Sequence, residues 1–160
     1  MGTKRRDFIK LGLAGAAISF VKPSQASELI GVAFEDKVKG PIVISTWDFG
    51  AAANAEAFKI LSAGGRALDA VEAGVKITES DPNNTSVGLG GLPDRDGKVT
   101  LDACIMDHEN NCGAVACLQD IENPISVARK VMEETQHVML VGEGAKQFAL
   151  EKGFKETNLL

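Results

Sequence analysis

Two alanine-rich segments separated by the Gly64-Gly65 pair constrain the fold of this chain most strongly. Apolar residues recur at helical spacing from residue 51 to residue 63, and again from residue 66 to residue 80. Glycine commonly ends a helix, and the Asp81-Pro82 pair stops the second segment. The sequence therefore predicts a helical hairpin whose small side chains suit close packing on another layer.

The remaining segments alternate between β-rich and helical patterns. Short apolar runs bounded by turn residues are typical of strands, and longer runs with apolar residues three and four apart are typical of helices. We predict a buried strand at 41–47, strands at 99–106 and 113–118, a helix at 124–135, a buried strand at 137–141 and a helix at 144–152. These blocks indicate a layered α+β or α/β fold with helices packed on a sheet.

Residues 1–26 have the pattern of a removable export leader. Arg5 and Arg6 lie in a basic region, an apolar stretch follows at 11–20, and Ala26 ends a small-residue cleavage site. The Arg-Arg-x-Phe-Ile-Lys string resembles a twin-arginine signal, and an ordinary general-secretion leader is the alternative. Either route predicts a bacterial protein that is periplasmic or secreted. Residues 27–40 are expected to be a flexible segment leading into the domain.

The charge distribution argues against a nucleic-acid partner, and the length of the leader's apolar stretch argues against a membrane span. Residues 1–26 carry five basic side chains and one acidic one, so the rest of the chain, with 12 basic and 21 acidic side chains, has a net charge of −9. Nucleic-acid binding needs a basic surface that replaces counterions, so we expect no nucleic-acid partner. The apolar stretch of the leader is about half the length of a membrane-spanning helix. We therefore expect no membrane association after leader removal.

Histidine and cysteine usage gives no sign of a metal or cofactor site. Neither His108 nor His137 has partners at metal-ligand spacing, and both are expected at the surface. Cys104, Cys112 and Cys117 match no zinc or redox spacing. Cys104 and Cys117 lie in apolar runs, which predicts small buried side chains, with one disulfide as the less favoured alternative.

Trp47 is the one tryptophan of the chain, and it ends the predicted first strand, next to a glycine turn at Gly50. An indole in this position is well placed to line a pocket. The alternative is a core tryptophan beneath the helices, and composition alone does not decide between them.

Several motifs together resemble the glycosylasparaginase family, also called the aspartylglucosaminidases. They are Ile-Ser-Thr-Trp-Asp-Phe-Gly at 44–50, Gly-Gly-Arg-Ala-Leu-Asp-Ala-Val-Glu at 64–72, Ser-Val-Gly-Leu-Gly-Gly-Leu-Pro-Asp at 86–94, Leu-Asp-Ala-Cys-Ile-Met-Asp at 101–107 and Asn-Pro-Ile-Ser-Val-Ala-Arg-Lys-Val at 123–131. The resemblance runs from about Pro41 to Leu160, in order and without large gaps.

The resemblance implies an N-terminal nucleophile hydrolase with a four-layer αββα sandwich, which is an α+β fold. Such a precursor cuts itself before the threonine of a His-Asp-Thr motif. That threonine, with its own α-amine as base, cleaves the side-chain amide between N-acetylglucosamine and asparagine and releases aspartate. The chain contains no His-Asp-Thr. Residues 41–160 are therefore expected to be an α-chain portion, with the threonine nucleophile beyond Leu160 and no activity alone.

The same resemblance implies the site residues and partners. Trp47 and Ser86 match family residues at the substrate pocket, and Phe49 is a further pocket candidate. No catalytic residue is expected within this chain. The implied partners are a β chain carrying the nucleophile, an α/β heterodimer pairing into a higher oligomer, and a glycosylated asparagine as substrate.

Two alternative functions stay open at this point. The related plant-type asparaginases and β-aspartyl peptidases share the Gly-Gly-x-Ala-Leu-Asp-Ala-Val element, but they are less similar around Trp47. A non-catalytic binding or scaffold domain built on half of the sandwich is the other alternative. Its physical weakness is that half a sandwich leaves the strand near 138–141 and the layer-facing surfaces unpaired.

Overall fold

A computed structural model describes residues 39–159, and the described residues from Pro41 onward form one compact unit. The predicted leader and most of the segment at 27–40 lie outside the described residues. The elements in chain order are α1 (Gly50–Ser62), α2 (Ala67–Glu79), a 3₁₀ turn η1 (Gly88–Gly90), β1 (Leu101–Met106), β2 (Cys112–Leu118), α3 (Pro124–Glu134), β3 (Met139–Val141) and α4 (Gly142–Glu151). This combination confirms the α+β class.

The three strands form one sheet in the order β1-β2-β3. β1 and β2 pair antiparallel, whereas β2 and β3 pair parallel. The antiparallel register shifts between Leu101 and Ala103, which is a β-bulge. At this bulge the Cys117 N–H donates to Asp102 Oδ1 at 2.8 Å, and Cys117 has a φ of 52°. The irregularity thus has a side-chain hydrogen bond in place of a ladder bond.

One face of the sheet packs against α3 and α4 to form the main core. Val115, Leu118, Val127 and Val131 are almost completely buried there. Gly113 allows the helix to come close, because an added Cβ at this position would lie 2.2 Å from the Ala128 carbonyl oxygen. The apolar face of α3 therefore lies directly on the sheet.

The predicted helical hairpin is confirmed as α1 and α2, with the turn at Gly64 and Gly65. α2 is linked to α3 by Arg129, whose guanidinium contacts Asp69 at 2.7 Å and Glu72 at 2.7 Å. Leu68 of α2 also belongs to the main core. The hairpin is thus fixed to the sheet layer through both apolar and charged contacts.

The opposite face of the sheet is apolar and largely uncovered within residues 39–159. Met106, Met139 and Val141 are 63%, 53% and 55% exposed. By strand alternation and register, this outer sheet face comprises Cys104, Met106, Cys112, Ala114, Ala116, Met139 and Val141. The strand near 138–141 was expected to be unpaired, but β3 pairs with β2 along one edge, so the uncovered surface is this face and not the strand itself.

The predicted strand at 41–47 is absent, and the predicted strand at 137–141 is present but not buried. Residues 41–47 form no strand, and Ile42 and Ile44 are 59% and 85% exposed. Their apolar content predicted burial, but no strand within 39–159 pairs with them. Residues 139–141 do form a strand, yet Met139 and Val141 are exposed because they lie on the outer sheet face.

The cysteine prediction was also wrong. Cys104 and Cys117 are exposed, since Cys104 lies on the outer sheet face and Cys117 at the bulge. All three cysteines fall within the described residues and are free. Both histidines are exposed, as predicted.

Candidate binding pocket

The loop before α1 carries the aromatic residues singled out from the sequence. The Gly50 N–H donates to the Trp47 carbonyl oxygen at 3.0 Å, and the Ala51 N–H to that of Asp48 at 3.2 Å. The Asp48 carboxylate accepts from the Phe49 N–H at 2.8 Å. A carboxylate at the start of a helix also interacts favourably with the helix dipole. The loop thus folds back at the first turn of α1 and presents both aromatic side chains.

This loop lines a cavity of about 520 Å³ together with α1, α2 and the segment before η1. We call this cavity the aromatic pocket. Its lining residues are Ser45, Thr46, Trp47, Phe49, Gly50, Ala53, Val75, Thr78, Ser86 and Val87.

The three candidate site residues, Trp47, Phe49 and Ser86, all line this one cavity. Trp47 is 68% exposed, so it is a pocket wall and not a core tryptophan. Ser86 is held by a local turn, because its N–H donates to Asn84 Oδ1 at 2.9 Å. α1 and α2 lie between Phe49 and Ser86 in the sequence, and the hairpin that they form returns the chain to the same cavity.

Two further lining residues, Val75 and Thr78, were missed from the sequence. Both lie on α2, three residues apart, and residues at this spacing share one face of a helix. The helical periodicity could therefore have placed them together. Nothing in the sequence indicated that this face of α2 would face the loop that carries Trp47.

A buried carboxyl belongs to the residue that follows the lining residue Thr78 in sequence. Glu79, next to Thr78 in sequence, is 2% exposed and accepts a hydrogen bond from the Ile125 N–H at 3.1 Å. Its other oxygen, Oε2, has no partner. Burial raises the pKa of Glu79 to about 7, although the hydrogen bond from Ile125 acts in the opposite direction. The Gly88 backbone lies against the Glu79 carbonyl oxygen, so Glu79, the last residue of α2, contacts both α3 and η1.

The pocket has the chemistry of a binding site. Its lining combines aromatic and aliphatic carbon with hydroxyl groups and includes no charged side chain. Such a surface suits a neutral group that has both apolar and hydroxyl-bearing faces. It offers no general acid or base among its lining residues. His108 lines a separate cavity of about 300 Å³ with Arg66 and Met106.

The described residues hold neither a cluster of metal ligands nor a membrane-spanning helix. Within residues 39–159, no group of three or more potential metal ligands comes together. Among the helices of that region, none is both long and apolar enough to cross a membrane.

Sequence comparison identifies the family of the chain. A family described as asparaginase matches residues 31–159, and the chain belongs to this asparaginase family. The match begins within the segment before the compact unit and covers every helix and strand described above.

Three relatives show how similar the chain is to individual members. The chain is 60% identical over 161 residues to an N(4)-(β-N-acetylglucosaminyl)-L-asparaginase of Elizabethkingia miricola, with 100% of this chain and 47% of the relative covered. It is 48% identical over 120 residues to the rat protein of the same name, with 74% and 34% covered. A plant-type L-asparaginase of Pyrococcus horikoshii is 53% identical over 95 residues, with 59% and 31% covered. The chain thus spans about half the length of the bacterial relative.

Proposed function

We propose that this chain is the α portion of an amidohydrolase that cleaves the amide bond between N-acetylglucosamine and the asparagine side chain. The observation that carries the proposal is the 60% identity, along the whole chain, to a protein named for this activity. The other portion of the enzyme supplies a threonine nucleophile that autoproteolysis frees. The present residues then bind substrate and carry no catalytic group.

The aromatic pocket supports this division of roles. Hydrolysis needs a nucleophile and a base, and the pocket lining contains neither an acidic nor a basic side chain. Trp47 and Phe49 offer apolar contact area, and Ser86 offers a hydroxyl, so the three residues hold the substrate next to the reacting groups of the other portion. Positioning alone makes a large contribution to the rate of such a reaction.

The outer sheet face supports the proposal of a four-layer αββα sandwich. The sheet is covered by helices on one side, and Met106, Met139 and Val141 are exposed on the other. Exposed apolar faces of this kind mark surfaces that another layer covers. The occupant we propose is a second sheet from the nucleophile-bearing portion, giving an α/β heterodimer that pairs into a higher oligomer.

The test is aspartate release by the protein expressed from its complete reading frame. We expect release from N(4)-(β-N-acetylglucosaminyl)-L-asparagine, and a loss of about tenfold in kcat/KM for Trp47→Ala. The matched control is Phe58→Ala, which removes an aromatic side chain from α1 that does not line the pocket. A folded protein that releases no aspartate would instead support a non-catalytic binding or scaffold domain.

A second candidate function is cleavage of simpler β-aspartyl amides. It is favoured by the 53% identity to a plant-type L-asparaginase over residues that include more than half of this chain. Assays with asparagine and a β-aspartyl dipeptide in parallel distinguish the two. Faster turnover of these small substrates than of the glycosylated one would favour the second candidate.

Export to the periplasm or the medium is a further part of the proposal, and it rests on the leader pattern at residues 1–26. Replacing Arg5 and Arg6 with lysine should block a twin-arginine route and leave a general-secretion route intact. Cell fractionation of the two forms measures which route is used.

A further inference from the structure

Ser45 and Asn54 connect the Trp47 loop to α1. The Ser45 hydroxyl donates a hydrogen bond to Asn54 Oδ1, across nine residues of sequence. Ser45 lies two residues before Trp47, and Asn54 is in the second turn of α1. Ser45 lines the aromatic pocket, whereas Asn54 does not. Asn54 therefore acts on the pocket through Ser45.

Gly50 brings the two partners close enough to meet. A Cβ added at Gly50 would lie 2.3 Å from Ser45 Cβ and 2.8 Å from its Oγ. Real atoms do not approach this closely, so only glycine allows Ser45 to pack on the first turn of α1. The start of the loop is thus pressed against the helix at the point where the hydrogen bond forms.

Trp47 has few other means of being held in place. It is 68% exposed, so burial in the core does not fix it. The loop is fixed after Trp47 by the hydrogen bond from the Gly50 N–H to its carbonyl oxygen, at 3.0 Å. Before Trp47, it is fixed by Ser45 and Asn54. Without this second anchor, the loop is attached at one end only.

We propose that Asn54 is a positioning residue, which holds the aromatic wall of the pocket by accepting the Ser45 hydroxyl. The effect on catalysis rests on the function proposed above, whereas the effect on the loop does not. Since the wall binds substrate and does not react with it, loosening the loop weakens substrate binding more than it slows the chemical step.

The experiment combines a ligand-free measurement with kinetics on the protein expressed from its complete reading frame. Time-resolved anisotropy follows nanosecond motion of Trp47, with Trp47→Phe supplying the background from any other tryptophan. Asn54→Ala removes the acceptor, and Ser45→Ala removes the donor. Asn54→Asp keeps an acceptor oxygen at the same place. Glu56→Gln is the control, because Glu56 is on the same helix and pairs with Lys59.

We expect Asn54→Ala and Ser45→Ala each to increase the amplitude of Trp47 motion by about twofold and to raise KM by about fivefold, with kcat changed by less than about twofold. Asn54→Asp and Glu56→Gln should resemble the wild type. In the double variant the effects should not add, because either change alone removes the same bond.

The proposal is overturned if Trp47 motion is unchanged in both single alanine variants, or if the motion rises and KM does not. Should Asn54→Ala fail to fold, the Ser45→Ala arm decides alone. If the wild type shows no amidase activity, the proposed function fails. In that case an increase in Trp47 motion still supports the positioning role of Asn54.

Discussion

At the scale of single residues, Glu79 combines a structural role with a cost that depends on pH. One carboxyl oxygen accepts the Ile125 N–H, which α3 leaves without a partner of its own, and the other oxygen is buried without a partner. An ionised carboxylate in this place lacks the solvation that water would give it. The protein therefore favours the protonated form.

We predict that folding stability falls as the pH rises through the titration of Glu79. The pKa of Glu79 is raised from 4.5 to about 7 on folding, so between these values the native state binds a proton that the unfolded state has released. The contribution of Glu79 to stability is highest below about pH 4.5, declines up to about pH 7 and is then constant, with a difference of about 3 kcal/mol. Urea unfolding at pH 5 and pH 8 measures it.

Glu79→Gln tests the cause of this pH dependence. The amide keeps an oxygen for Ile125 but does not titrate, so the difference between pH 5 and pH 8 should disappear. Glu109→Gln changes an exposed residue of the turn between β1 and β2 and should keep the wild-type slope. An unchanged slope in Glu79→Gln would assign the pH dependence to other groups.

Some site residues could be predicted from a sequence pattern, whereas Glu79 depends on a contact that only the fold creates. Trp47 and Ser86 match a family pattern, Phe49 is a further candidate, and all three line one cavity. Glu79 was missed because a glutamate near the end of a helix is common and is normally solvated. Only the approach of α3, 46 residues further along, turns it into a buried acceptor.

At the scale of elements, the contact between α3 and the sheet depends on the absence of a side chain at Gly113. An added Cβ would lie 2.2 Å from the Ala128 carbonyl oxygen and 2.6 Å from the Met132 nitrogen. Both are backbone atoms, so a change of rotamer cannot relieve the clash. The helix as a whole has to move away from β2.

We predict that Gly113→Ala destabilises the protein by about 3 kcal/mol, as expected of a substitution that overpacks a core. Gly144→Ala is the matched control. Gly144 lies in α4 with nothing within 4 Å of the added Cβ, and alanine should stabilise a helix there by up to about 1 kcal/mol. The midpoint of urea unfolding measures both. A Gly113→Ala midpoint equal to that of the wild type would contradict the close packing.

Element boundaries were predictable where the pattern is local. Both hairpin helices, α3 and the two antiparallel strands lie within about two residues of their predicted ranges. The segment at 41–47 was wrong because β-rich composition reports a preference, and a strand also needs a neighbour to pair with. Ile44 has the composition of a buried strand residue, but it is 85% exposed.

At the scale of the whole molecule, the outer sheet face is the largest departure from a self-contained domain. It combines exposed Met106, Met139 and Val141 on a sheet whose other side is fully packed. The family resemblance alone predicts an incomplete sandwich. Periodicity could not show it, because residues 139–141 are apolar without alternation and therefore do not indicate which face is covered.

We predict that Met139→Asp prevents assembly with the nucleophile-bearing portion. A carboxylate on an apolar face that another layer covers would be buried without a partner, which is strongly unfavourable. Size-exclusion chromatography of the protein from its complete reading frame measures the loss of the assembled form. Lys155→Asp, at an exposed residue after α4, is the control. Normal assembly of Met139→Asp would remove this face from the proposed interface.

The outer sheet face is also rich in sulfur. Cys104, Met106, Cys112 and Met139 all lie on it, which includes two of the four methionines and two of the three cysteines of the chain. Oxidation of methionine or cysteine adds polar oxygen to a side chain that packs as an apolar group. In an oxidising compartment, we expect chains whose face stays uncovered to accumulate this damage. Early association with the proposed second portion would therefore protect these side chains chemically as well as cover the face.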